Sequence, residues 1–244
     1  MHSSIETALS DLLALTTDEQ QVAWLVAYGA RTSPADCTEF AEALKVKADT
    51  WRATTAIHQS LHAIHLLYTL AAITRNPLDR AVALRADGNT RLIGLGEFHA
   101  AIRLYEEAAT IYEAAGLPAD AANAQVGKVW ALAMAEAYPE IEQLEVTLPP
   151  ILEAAARWHT LANFYLNLGA VYGRMGQDAR ALALLDKAKD MYGRAGEAPE
   201  SASFAFVDNS RAIHLRNIGA FTDSIAASET ACRRLHTLQL EVEA

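Results

Sequence analysis

Apolar residues recur at helical spacing from Ile5 to the end of the chain, and alternating apolar–polar runs of the β type are nearly absent. Ala, Leu, Glu and Arg dominate, all residues that lose little on entering a helix. Breakers punctuate the pattern at Ser33-Pro34, Asn76-Pro77, Gly94-Leu95-Gly96, Gly116-Leu117-Pro118, Tyr138-Pro139, Gly176, Gly196 through Pro199, and Gly219. Their spacing suits helices of three to five turns. No Gly/Ser linker or low-complexity stretch divides the chain, so the pattern predicts about a dozen helices joined by short turns.

The chain also repeats itself. Gly96-Glu97-Phe98-His99-Ala100-Ala101 aligns with Gly176-Gln177-Asp178-Ala179-Arg180-Ala181 at a shift of 80, which also lays Ala108 on Ala188, Tyr112 on Tyr192 and Gly116 on Gly196. At a shift of 40, Ile111-Tyr112-Glu113-Ala114-Ala115 meets Ile151-Leu152-Glu153-Ala154-Ala155. A further copy opens at Gly219, displaced by three extra residues that fit the loop around Gly196–Pro199. Self-similarity of this period marks a stack of helix pairs.

Each pair has a stated job for its residues. Glycine at the turn permits a tight reversal. Ala101, Ala181, Ala108 and Ala188 let a neighbouring backbone come close, while Tyr105, Leu185, Tyr112 and Tyr192 fill the remaining gaps. One pair cannot bury its own apolar face, so successive pairs must supply the core for each other.

Tyr165, Leu168-Gly169, Tyr172, Gly176, Ala181, Leu185 and Ala188 resemble the tetratricopeptide repeat. The copy at Gly96, Phe98, Ala101, Tyr105 and Ala108 matches in its second helix, but Gly88-Asn89 sits one residue early, which predicts an insertion or irregular turn. In the copy from Asn123 to Ala156, Pro149-Pro150 predict a break or kink near Thr147, with Pro150 opening the final turns. A degenerate copy runs from Phe40 to Thr74, with Trp51, Ile57, Ser60, Ile64 and Leu67 at packing positions. The resemblance implies an all-α, right-handed α-solenoid: capping helices over 1–34, then pairs over 35–76, 77–118, 119–158, 159–199 and 200–244. It further implies that the first helix of each pair lines a concave, peptide-binding face. That face is expected to carry Asn123, Trp130, Asn163, Asn167, Arg174, Asn209, Arg216 and Asn217. Amide side chains both donate and accept, which suits the main chain of an extended peptide, and the arginines suit its carboxylates.

The layout as a whole also resembles the leading part of bacterial proteins in which such repeats precede a caspase-like CHAT protease domain. That resemblance supplies an alternative expectation, the regulatory or sensor repeat region of a larger effector, in keeping with a sequence that stops at Leu240–Ala244 without an obviously polar capping helix.

Composition narrows the chemistry. Thirty acidic residues against 20 basic ones give a net charge of −10, an unsuitable footprint for nucleic acid or anionic lipid. Cys37 and Cys232 make no disulfide framework and suit a reducing cytoplasm; both read as small packing residues. Between Arg52 and Arg75 no charged residue occurs, but His58, His62 and His65 make a bilayer span costly there. Those three histidines share one helical face, read as a solvent-side stripe; they fall short of a zinc site in ligand number. No glycine loop, nucleophile or carboxylate pair forms a catalytic constellation. The expectation is therefore a non-enzymatic protein- or peptide-binding scaffold that needs no cofactor or metal and takes an extended or acidic segment.

Overall fold

Three helix starts are fixed by side-chain caps. Thr17 Oγ1 accepts from Gln20 N, Ser33 Oγ from Asp36 N, and Asn76 Oδ1 from Leu78 N, with Pro34 and Pro77 at first helical positions. The computed structural model describes residues 2–243. Met1 and Ala244, the outer bounds of the segments 1–34 and 200–244, lie outside the described residues. Among the described residues there are twelve α-helices, one π-helical turn and no strand.

The chain falls into two compact units, Met1–Ala135 and Glu136–Ala244. The first holds α1 (His2–Ala14), α2 (Asp18–Arg31), α3 (Pro34–Ala53), α4 (Ile57–Thr74), α5 (Pro77–Asn89), the π turn (Thr90–Leu95), α6 (Phe98–Ala114) and α7 (Pro118–Met134). The second holds α8 (Tyr138–Ala154), α9 (Trp158–Arg174), α10 (Asp178–Arg194), α11 (Ala202–Asn217) and α12 (Phe221–Glu243).

The repeat has a simple metric. Helices α6 through α10 are each 17 residues long. The left-handed residues that end α-helical runs stand 20 residues apart, at 96, 116, 136, 156, 176 and 196. Four of these are glycines with φ of 70–79°; Glu136 (φ 58°) and Ala156 (φ 51°) hold the same conformation with a side chain attached. After 96, 116, 156, 176 and 196 the next amide reaches back to close the helix end, as in Leu117 N to Tyr112 O at 2.9 Å and Gln177 N to Tyr172 O at 2.9 Å. Two such steps make the 40-residue period.

The one-residue slip at Gly88-Asn89 resolves into the π turn. Left-handed positions 75 and 96 are separated by one residue more than the regular step, and the wider turn Thr90–Leu95 absorbs it. The closing bond there, Glu97 N to Arg91 O at 2.8 Å, also spans one residue more than its counterparts. The three extra residues before Gly219 lie in the turn that precedes Ala202.

The expected break at Pro149-Pro150 does not occur: α8 runs unbroken from Tyr138 to Ala154. The two prolines leave the carbonyls of Glu145 and Val146 without their helical donors. Val146 is 74% exposed, so its carbonyl lies on the watered side of the helix, where the loss is cheap.

Each unit has its own core. In the first, Phe40, Leu44, Leu66, Leu67 and Leu70 are fully enclosed, joined by Cys37, with Trp51 packed against them. Full burial of each such side chain contributes about 1.5–3 kcal/mol. The Tyr105 ring lies between Gly88 of α5 and Gly127 of α7, where added Cβ atoms would stand 2.9 and 2.8 Å from it. In the second unit Ala181 and Ala188 are completely buried beside Leu161, Ala162 and Leu168. Cys232 corrects the packing expectation, because it is exposed on the outer side of α12.

Candidate interaction surfaces

The face of α11 sets an unusual combination before solvent. Phe206, Asn209, Ile213 and Asn217 fall at i, i+3, i+7 and i+11, so they share one stripe. Phe206 is 57% and Ile213 44% exposed, while Phe204, Val207 and Ala212 on the other side are buried. Arg216 is exposed at the edge of the same stripe. On α9, Asn163, Asn167 and Arg174 share a face, the asparagines half-buried and the arginine exposed. The two helices touch where the His214 ring lies against Gly173.

Several of these side chains have partners within the fold. Tyr192 donates its hydroxyl to Asn163 Oδ1 at 2.5 Å, and Asn163 Nδ2 stands 3.2 Å from His159 Nδ1. Burial, then the nearby Glu197 carboxylate, push the Tyr192 hydroxyl up to about 12, so it remains a donor at neutral pH. Asn217 donates to Asp178 Oδ1 at 3.0 Å. Asn163 therefore braces its own helix pair, whereas Asn167, Asn209 and Arg216 lie on the open side.

Asn123 and Trp130 belong to the first unit, on α7. Asn123 is half-buried. Trp130 packs on the cluster of Leu92, Ala101, Tyr105 and Ala131.

The histidine stripe is only partly as expected. His58 and His65 are exposed on α4, but His62 turns toward α2, its Nε2 2.9 Å from Gln21 Oε1. Buried Gln21 in turn donates to Leu15 O at 3.2 Å, so His62 helps hold the α1–α2 turn. Among the described residues no group of three or more His, Cys, Asp or Glu side chains stands close enough to hold a metal ion. No helix among them is long and apolar enough to cross a membrane.

Sequence reading missed a groove of about 990 Å³ between α1 and α3. Its apolar side is made by Ile5, Leu9 and Leu13 of α1 with Ala43 and Val46 of α3. Val46, an apolar residue set between Lys45 and Lys47, was the available signal.

Residues 161–195, which span most of α9 and α10, match the tetratricopeptide repeat family model. None of the curated proteins matches the chain significantly. Among solved structures the chain is similar to BtubC (BKLC) from P. vanneervenii, with a TM-score of 0.62 at 18% identity, over 92% of this chain and 93% of that one. At that identity the likeness speaks for the fold: an all-α, tetratricopeptide-like repeat of the solenoid class.

Proposed function

We propose that this tetratricopeptide-like repeat chain is a non-enzymatic scaffold that captures an extended peptide on the open face of α9 and α11. The observation that carries the reading is the stripe of Phe206 and Ile213, apolar and exposed, interleaved with Asn209 and Asn217. Exposed aromatic and aliphatic side chains set among polar ones are the composition of a binding patch. Asn167 and Asn209 suit a peptide main chain, and Arg174 and Arg216 suit acidic side chains, through charge-assisted bonds. The repeat fold is a scaffold on which such faces are built, and it supports protein partners as a class.

The test is selection of random displayed peptides against the full chain. Acidic peptides carrying an apolar residue are expected to be enriched. Phe206→Ala together with Arg174→Ala and Arg216→Ala should lose them, with helicity by circular dichroism unchanged. Replacing His58 and His65, exposed on α4, should leave the selection as it was. Retention of the same peptides by the triple variant would sink the assignment.

A further inference from the structure

The groove between α1 and α3 rests on observations separate from the α9–α11 face. Ile5 and Leu9 form its buried floor, Leu13 and Ala43 are half-buried, and Val46 is 59% exposed although Leu44 and Ala48 beside it are buried. Its rim is acidic. Glu6 of α1 and Glu39 and Glu42 of α3 line it, against one cation among the lining residues, Lys47. Glu42 is engaged by Arg85 of α5 at 3.0 Å, which leaves Glu6 and Glu39 to set the sign of the rim.

The walls dictate the backbone of any occupant. Both are α-helices, whose N–H and C=O groups are already spent on each other, and the lining carries no amide side chain of the kind that Asn167 and Asn209 offer on α9 and α11, so an incoming chain finds neither ladder nor amide for its backbone to pair with. An extended segment lying on this apolar side would leave its own backbone unsatisfied, whereas a helix brings its hydrogen bonds with it. The α1 wall runs from Ile5 to Ala14, which is about 14 Å of helix rise, the length of two to three turns. The acidic rim then selects the flanks of that helix.

We propose that the α1–α3 groove is a second docking site, and that its occupant is a basic amphipathic helix. Such a helix lays apolar residues spaced i, i+3 and i+7 on Leu13, Ala43 and Val46, and sets lysines or arginines beside Glu6 and Glu39. A second copy of this chain is disfavoured by its own charge of −10.

The probe is a synthetic helical peptide of about 14 residues with leucines at that spacing and lysines on the flanks, beside a twin with glutamates in place of the lysines. Both are titrated into the full chain by fluorescence anisotropy. The lysine peptide is expected to bind at least about tenfold tighter than its twin, with the gap narrowing as salt rises. Glu6→Lys with Glu39→Lys should reverse the preference, and Val46→Trp, which fills the groove, should weaken both peptides. Arg174→Ala with Arg216→Ala should change neither titration, which keeps this site's fate separate from that of the α9–α11 face. The proposal is overturned if the two peptides bind alike, if neither binds, or if charge reversal leaves the preference unaltered. It is equally overturned if the unliganded chain self-associates and Val46→Glu abolishes that, because a second copy then fills the groove.

Discussion

The imidazole of His214 on α11 occupies the space directly over Gly173 on α9: a Cβ built on that glycine would stand 1.9 Å from Cε1 of the ring. The same ring places its Nδ1 2.8 Å from Asp178 Oδ1, at the first turn of α10. Three helices of the second unit thus meet on one buried histidine. Gly173 lies inside α9, where glycine costs helix stability relative to alanine, and the close approach of α11 is what it makes possible.

Gly173→Ala should therefore destabilise the chain despite raising helix propensity. The ring must move, losing its fit against α9 and its bond to Asp178, at a cost of about 1–3 kcal/mol. Urea unfolding checks the sign, and His214→Ala in the same background should recover part of the loss because the collision is gone. A stabilised Gly173→Ala would mean that α11 does not approach α9 here.

Ala156 and Glu136 hold the left-handed turn conformation that glycine holds at 116, 176 and 196. Replacing either by glycine relieves a steric cost of about 1 kcal/mol, offset in part by a freer unfolded chain. A net gain of about 0.5 kcal/mol is expected for Ala156→Gly, and a loss of about 1 kcal/mol for Gly176→Ala. Thermal unfolding of the two variants should move in opposite directions.

Ala181 is fully buried against the partner helix, while Ala183, two residues on, is exposed. Ala181→Leu should cost about 1–3 kcal/mol by overpacking, and Ala101→Leu the same in the first unit, whereas Ala183→Leu should be nearly neutral. Equal effects at 181 and 183 in denaturant titrations would contradict the register of α10.

Hydrogen bonds from His214, then Asn217, hold the Asp178 carboxyl below the usual aspartate range. A carboxyl whose pKa is lowered by folding lends stability that is fully present above its unfolded value, near 4, and that fades as pH falls through the lower folded value. Stability measured from pH 5 downward should fall in part through this group, and Asp178→Ala should make that part of the profile flatter. An unchanged acid limb in the variant would show that the bonds at His214 do not depend on the charge.

The turn glycines, the buried alanines and the tyrosines could be placed from the sequence because each acts through its immediate neighbours. Gly96 and Gly176 are legible as turns since positive φ is a local demand, and Ala101 and Ala181 as close contacts because the period repeats them. The irregularity at Gly88-Asn89 was legible as a slip of one residue; that a π turn takes it up was a matter of how α5 and α6 must still face each other. Pro149-Pro150 misled for the same kind of reason. Local rules price the missing hydrogen bonds, but the exposure that makes them affordable belongs to the packed unit.

Sidedness was harder to read than helicity. Asn163 and Asn167 are one turn apart on α9, yet Tyr192 takes the first into the fold and leaves the second open. His62 sits between two exposed histidines and still turns inward, because Gln21, 41 residues earlier, waits for it with a carbonyl oxygen. The chain's own pattern determined that it is helical, how long each helix is and where it reverses, since these follow from hydrogen bonds and steric limits within a few residues. Only the tertiary structure decided which polar side chains are spent inside and which face water, and that α1 and α3 leave an acidic-rimmed groove between them. Those outcomes depend on distances between residues far apart in the chain, which packing sets and no local pattern records.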